Sequence, residues 1–184
     1  RITFGLHVAG WRGPGSKSLL GEPVVGRPGF LALLETHLGL SAPTVAAAQR
    51  AAAYLVALRA GSTTGRFFDR SLQADEIGTA AHLLRWRDEW FLAGWDGKGR
   101  AQWPQRLADL AAVEAFATGR VPPGEGERLA LVAERLKRRR TPIDHVLLLD
   151  PLAAYPARWR DVLELLPTEA AAPVQPAGQG TLGA

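Results

Sequence analysis

The chain has 184 residues, 47% of them hydrophobic and 22% charged, with a formal net charge of +4. That length and apolar content suit one packed domain, or one domain with a helical insert. It has no cysteine, which excludes disulfides, thiolate nucleophiles and cysteine-based zinc sites. Its apolar runs are too short to span a bilayer, and no signal peptide opens it, so a cytoplasmic protein with no membrane partner is expected. The absence of methionine, with Arg1 first, reads as a processed chain or a piece of a longer protein. The mild basic excess permits nucleic-acid contact. An arginine- and alanine-rich coding bias explains it equally well.

Ile2, Phe4, Leu6 and Val8 alternate with the period of a half-buried strand. Residues 10–21, "GWRGPGSKSLLG", are loop by their glycine and proline content. "EPVV" predicts a second short strand that stops at Gly26. A helix follows to Gly39, with Pro28 near its first turn and Phe30, Leu33, Leu34 and His37 on one face. Residues 41–61 predict an alanine-rich helix capped by Ser41 or Thr44, and 62–71 a loop. Residues 72–95 predict one helix with Ile77, Ala80, Leu84 and Phe91 at heptad-like spacing. Two more helices are expected. Residues 103–119 place Leu107, Leu110, Val113 and Ala117 on one face, and residues 127–140 carry Leu129, Val132 and Leu136. Val146 to Leu149 return to strand, and so continuous an apolar run predicts burial on both faces of a parallel sheet. Residues 155–166 predict a helix with Trp159, Val162, Leu163 and Leu166 inward, and 167–184 a linker. The expectation is an α/β fold, mostly helical by residue count. Its domain covers residues 1–166, with sheet parts at 1–40 and 141–166. An all-helical insertion over about 41–140 supplies the crossover.

The chemistry is incomplete everywhere it is sought. Gly10 and Gly15 have the spacing of a phosphate-binding P-loop, but Ser16 displaces Lys17 by one residue. Gly21 and Pro23 then deny the loop a helix to point at a phosphate. The stretch Gly26, Arg27, Pro28, Gly29 has strand before and helix after, yet no lysine followed by serine or threonine. Asp150, at a strand end, is placed to hold Mg²⁺ as in an ATPase, but Pro151 stands where a base is needed. A turn residue beside proline is its plainer reading. His7, His37, His82 and His145 are scattered, and Glu134 with Lys137 has the wrong spacing for a nuclease. No catalytic residue, metal site or cofactor is expected in this chain. Two basic features remain as DNA-binding candidates. Lys137, Arg138, Arg139 and Arg140 close a helix, where cations complement the helix dipole or contact phosphates. Arg85 and Arg87 interleave with Trp86, Trp90 and Trp95, an arrangement that stacks on single-stranded bases or forms core and pairs with Asp88 and Glu89.

Three blocks, "EPVVGRPGFLALLETHLGL", "GRFFDRSLQADEIGTAAHLLRWRDEWFLAGWDG" and "IDHVLLLDPLAAYPARWRDVLELL", occur in that order. Together they resemble the amino-terminal region of large bacterial PD-(D/E)xK nuclease-family proteins, the AddB-like and RecC-like subunits of helicase–nuclease complexes. The tail "PAGQGTLGA" resembles the linker that follows there. The resemblance implies an incomplete RecA-like, superfamily-one helicase-like sheet with a helical insertion. In this family that domain is often inactive as a motor. It implies that Gly26 to Gly29 stand at the P-loop position, degenerate here, and Asp150 at the Mg²⁺-binding aspartate. The implied parent is an exodeoxyribonuclease that processes double-strand breaks for repair and recombination. It would use Mg²⁺ at a nuclease site beyond this chain, with DNA ends or single strands and a partner subunit as its contacts. The alternative expectation is a helical protein–protein interaction module that touches no nucleic acid.

Overall fold

The computed structural model describes residues 1–8, 23–40, 45–63 and 65–171. The glycine-rich stretch with Lys17, the expected caps Ser41 and Thr44, and residues 172–184 of the expected linker lie outside them. Strands β1 (Ile2–Phe4), β2 (Val24–Val25), β3 (Val146–Leu148) and β4 (Thr168–Ala170) form one parallel sheet in the order β2-β1-β3-β4. Thr3 registers with Val24 on one side and Leu147 on the other, and Leu147 with Glu169. Seven helices accompany the strands among the described residues, and helix predominates by residue count. They are α1 (Arg27–Leu38), α2 (Ala47–Gly61), α3 (Asp69–Ala74), α4 (Glu76–Leu92), α5 (Gln105–Ala117), α6 (Glu125–Leu136) and α7 (Ala157–Leu163). The expected mixed α/β class, mostly helical with a small parallel sheet, is what the chain adopts.

Alternation decides which sheet face is buried. Ile2 and Phe4 on β1, with Val146 and Leu148 on β3, point into a core closed by α1, α6 and α7. Trp159 of α7 is fully buried there and stacks on Phe30 of α1 at 5.9 Å between ring centroids. Burying such an aromatic stabilises by about 1.5–3 kcal/mol. The opposite face presents Val24 and Leu149, 44% and 41% exposed. Leu149 therefore corrects the expected two-sided burial of Val146 to Leu149. The covering helices pack on one face only among the described residues, so the run alternates despite being wholly apolar.

A second core lies inside the helical block of α2 to α5, around Tyr54, Leu58, Phe68, Leu84, Leu110 and Val113. The predicted single helix over 72–95 is broken there. Asp75 is extended at φ −149° and caps α4 by accepting the Gly78 N–H at 2.9 Å. The side-chain cap satisfies a donor that a continuous helix would have satisfied itself. Ile77 consequently falls in a first turn and is 74% exposed, apart from the buried Ala80 and Leu84 with which its heptad-like spacing groups it. In α1 the inward face is Phe30, Leu31, Leu34, Glu35 and Leu38, while Leu33 and His37 are only half-buried. Gly39 ends α1 in the left-handed region, φ 67°, as its position predicts. The sheet also runs past residue 166, because Thr168–Ala170 pairs with β3.

Candidate nucleic-acid interface

The sequence candidates separate into three places. The first is the carboxyl edge of the sheet. The strand order reverses between β1 and β3, and the crevice beyond such a switch point is where open α/β sheets bind ligands. Gly26 to Gly29 and Asp150 both reach this edge, from the ends of β2 and β3. Their polar groups are already engaged. Arg27 donates to both oxygens of Glu125 on α6, at 2.8 and 2.5 Å. Glu125 Oε1 also accepts the Trp159 indole N–H at 2.6 Å. Asp150 Oδ2 accepts the Leu6 N–H at 2.8 Å, which ties the chain after β1 to the chain after β3. Tyr155 donates to the Phe4 carbonyl at 3.3 Å, and burial, with the nearby Asp150 carboxylate, pushes its phenol up to about 12. The Asp150 side chain thus serves the turn that its neighbour Pro151 suggests. Among the described residues no group of three or more histidine or acidic side chains is arranged around a common point.

The second place is the interior. Arg87 is 1% exposed and makes four hydrogen bonds of 2.7–2.8 Å, two to Glu114 on α5 and two to Glu127 on α6. Burial works against its charge, but its bonds to Glu114 and Glu127 and their negative charges together outweigh it and hold the guanidinium well above its ordinary range. Its cation also lies 4.5 Å from the Phe91 ring centre. Beside it, Arg50 of α2 forks onto Asp88 at 2.6 and 2.8 Å and reaches the Pro122 carbonyl at 3.0 Å. Glu127 accepts the Gly124 N–H at 2.8 Å and so helps to start α6. Arg87 is withdrawn from the DNA-binding candidates by this burial, and its principal partners are Glu114 and Glu127. Of the two expected acids, Asp88 comes only to 3.7 Å. The sequence carried a signal for this: Ala80, Leu83, Leu84 and Arg87 follow i, i+3, i+4, i+7, so Arg87 occupies an apolar-stripe position. Arg85, two residues earlier, is exposed, with one guanidinium nitrogen 2.9 Å from His82 Nδ1.

The third place is the amino edge of the sheet, where α6 ends and the chain turns into β3. Lys137, Arg138, Arg139 and Arg140 are all exposed there. Lys137 pairs with Glu134 at 2.6 Å. Arg138, Arg139 and Arg140 have no carboxylate within ion-pair distance among the described residues. Arg135, absent from the sequence candidates, joins them one turn back on α6. The four arginines rim two adjoining hollows of about 530 and 420 Å³ that share Arg139. Leu40, the exposed Leu131 and Glu134 also line one, and Thr141, Asp144 and Leu165 the other. Unpaired guanidinium groups at a helix carboxyl end are favoured by its dipole and remain available to an external anion.

The three places differ in what their charges face. Carboxyl-edge and interior charges face one another, whereas the arginines of the amino edge face solvent. No protein-family model matches the chain, and no curated protein matches it.

Proposed function

We propose that the chain is a non-catalytic, helicase-like segment of a DNA-end-processing nuclease, and that it contacts DNA backbone through its amino edge. In this reading the sheet and its helical insertion are RecA-like, of the superfamily-one type, with Gly26 to Gly29 and Asp150 as degenerate remnants of an ATP site. The parent would act in double-strand-break repair and recombination, alongside a partner subunit and with Mg²⁺ at a distant nuclease site. The observation that carries DNA contact is the set Arg135, Arg138, Arg139 and Arg140, exposed and without carboxylate partners among the described residues. A guanidinium with no internal partner suits a phosphate, which it binds through two parallel hydrogen bonds. The pairing of Arg27 with Glu125 supports the non-catalytic half, because that cation is not offered to a phosphate.

The test is a salt series of duplex-DNA binding by fluorescence anisotropy. Replacing Arg138, Arg139 and Arg140 by alanine lowers the slope of log K against log salt by about one for each phosphate no longer neutralised. An unchanged slope overturns the DNA reading and favours the helical interaction module, for which Val56 and Ile77 on α2 and α4 offer exposed apolar contacts. ATP turnover abolished by Lys17→Ala overturns the non-catalytic half.

A further inference from the structure

Helix α4 has a wall that the amino edge does not explain. Its residues Thr79, His82 and Trp86 line an open hollow of about 590 Å³, bordered by Phe67, Phe68 and Arg106. That is within the range of small-molecule sites, roughly 300–1,000 Å³. Its apolar lining is Phe67, Phe68, Trp86 and Leu83, three of the four aromatic. Phe67 and Trp86 are half-buried, so each keeps part of its ring open. The His82 ring stands edge-on to Trp86 with centroids 4.7 Å apart, and the Arg106 guanidinium lies 5.8 Å from the Phe67 centroid. Arg106 lines the hollow, and Arg85, outside that lining, reaches its rim through His82, 2.9 Å away; neither meets a carboxylate among the described residues. The one acid in the wall, Asp75, is occupied in capping α4 through the Gly78 N–H.

We propose that this cavity stacks an unpaired base of single-stranded DNA. A base lies against Trp86 and Phe67, and its flanking phosphates meet Arg85 and Arg106. Aromatic faces with interleaved arginines bind any base, because every base has a π-face, and they do not need a particular sequence. Bases inside a duplex are covered by their neighbours, so the cavity selects single strands. A partly aromatic wall with two nearby cations, Arg106 and Arg85, against one carboxylate, Asp75, is net positive and suits a polyanion that carries flat rings. The proposal rests on the DNA reading above and deepens it: the amino edge holds backbone of either form, and this cavity tells single strand from duplex.

The test uses the 184-residue chain, a labelled oligo-dT of about 15 nucleotides and a hairpin duplex of matched length. Trp86→Ala is expected to weaken oligo-dT binding about tenfold and leave the duplex unchanged, while Trp86→Phe keeps most of the affinity. Trp86 also packs against the block's core, so Arg106→Gln provides a second readout at an exposed position. It should lower the oligo-dT salt slope by about one and spare the duplex. Equal losses on both DNAs, or unchanged oligo-dT binding by Trp86→Ala and Arg106→Gln, overturn the proposal. If the Arg138–Arg140 variant still loses both DNAs in that second case, the DNA reading stands alone. If the unaltered chain binds neither DNA, both fall together.

Discussion

The two edges of the same sheet are built from the same kinds of residue and put them to opposite use. At the carboxyl edge, Arg27 and Trp159 both donate to Glu125, and Asp150 is held on a backbone N–H. At the amino edge, three consecutive arginines lack a carboxylate partner among the described residues. In sequence, "GRPG" stands at a P-loop position without its lysine, and "KRRR" is a candidate phosphate contact. The difference lies in what the fold delivers opposite each cation. α6 starts with an acid, Glu125, beside the first edge and ends with basic residues at the second. One helix therefore neutralises one edge and charges the other, each end matching its own dipole.

Substitutions can break this comparison in graded steps. The largest effect is expected at Arg87, the interior extreme of a satisfied cation. Arg87→Ala strands Glu114 and Glu127 and should cost about 3–5 kcal/mol in urea unfolding. A loss below about 1 kcal/mol would mean that water satisfies the two acids. Arg27→Ala is smaller, about 1 kcal/mol or less, because that pair is about a third exposed. The Arg138–Arg140 triple alanine variant should stay within about 0.5 kcal/mol of the unaltered chain, since those side chains have no internal bond to lose. A large destabilisation there would erase the distinction between the edges.

Tyr155 sharpens the carboxyl edge by pH. Its phenol is raised to about 12 in the fold from 10.0 in the unfolded chain, so the fold retains a proton that the unfolded chain releases. The stability contributed is whole below pH 10 and is lost as pH rises toward 12. Tyr155→Phe should flatten that alkaline fall in an unfolding series from pH 9 to 12. Tyr54, raised by burial and then by Glu114, leaves a residual slope. An unchanged fall on Tyr155→Phe would assign it all elsewhere.

Periodicity recovers what local pattern controls: the strand at Ile2 and Phe4, the helix that ends at Gly39, and the return to strand at Val146. It misses what depends on partners. β4 is three residues of ordinary polarity, and only the free edge of β3 makes it a strand. The 72–95 helix reads straight through Asp75 because apolar residues continue on both sides, although aspartate three residues before Gly78 is a local cap signal. Among the site candidates, Arg85 and Arg87 look alike until the apolar stripe is laid over them. The unpaired state of Arg138 to Arg140 is not legible in sequence, because it depends on which acids α1, α7 and β4 bring near.

The pairing of β1 has a cost in time. It is one of two interior strands, flanked by β2 and β3, yet Leu6 and its partner Asp150 are 144 residues apart. At a synthesis rate of about 5–20 residues per second, β1 waits roughly 7–30 seconds for its second neighbour to be made. During that interval a strand carrying Ile2 and Phe4 presents an open edge to other nascent chains. Chaperone demand during translation is therefore expected to fall on the first strand, and to end only once β3 has emerged.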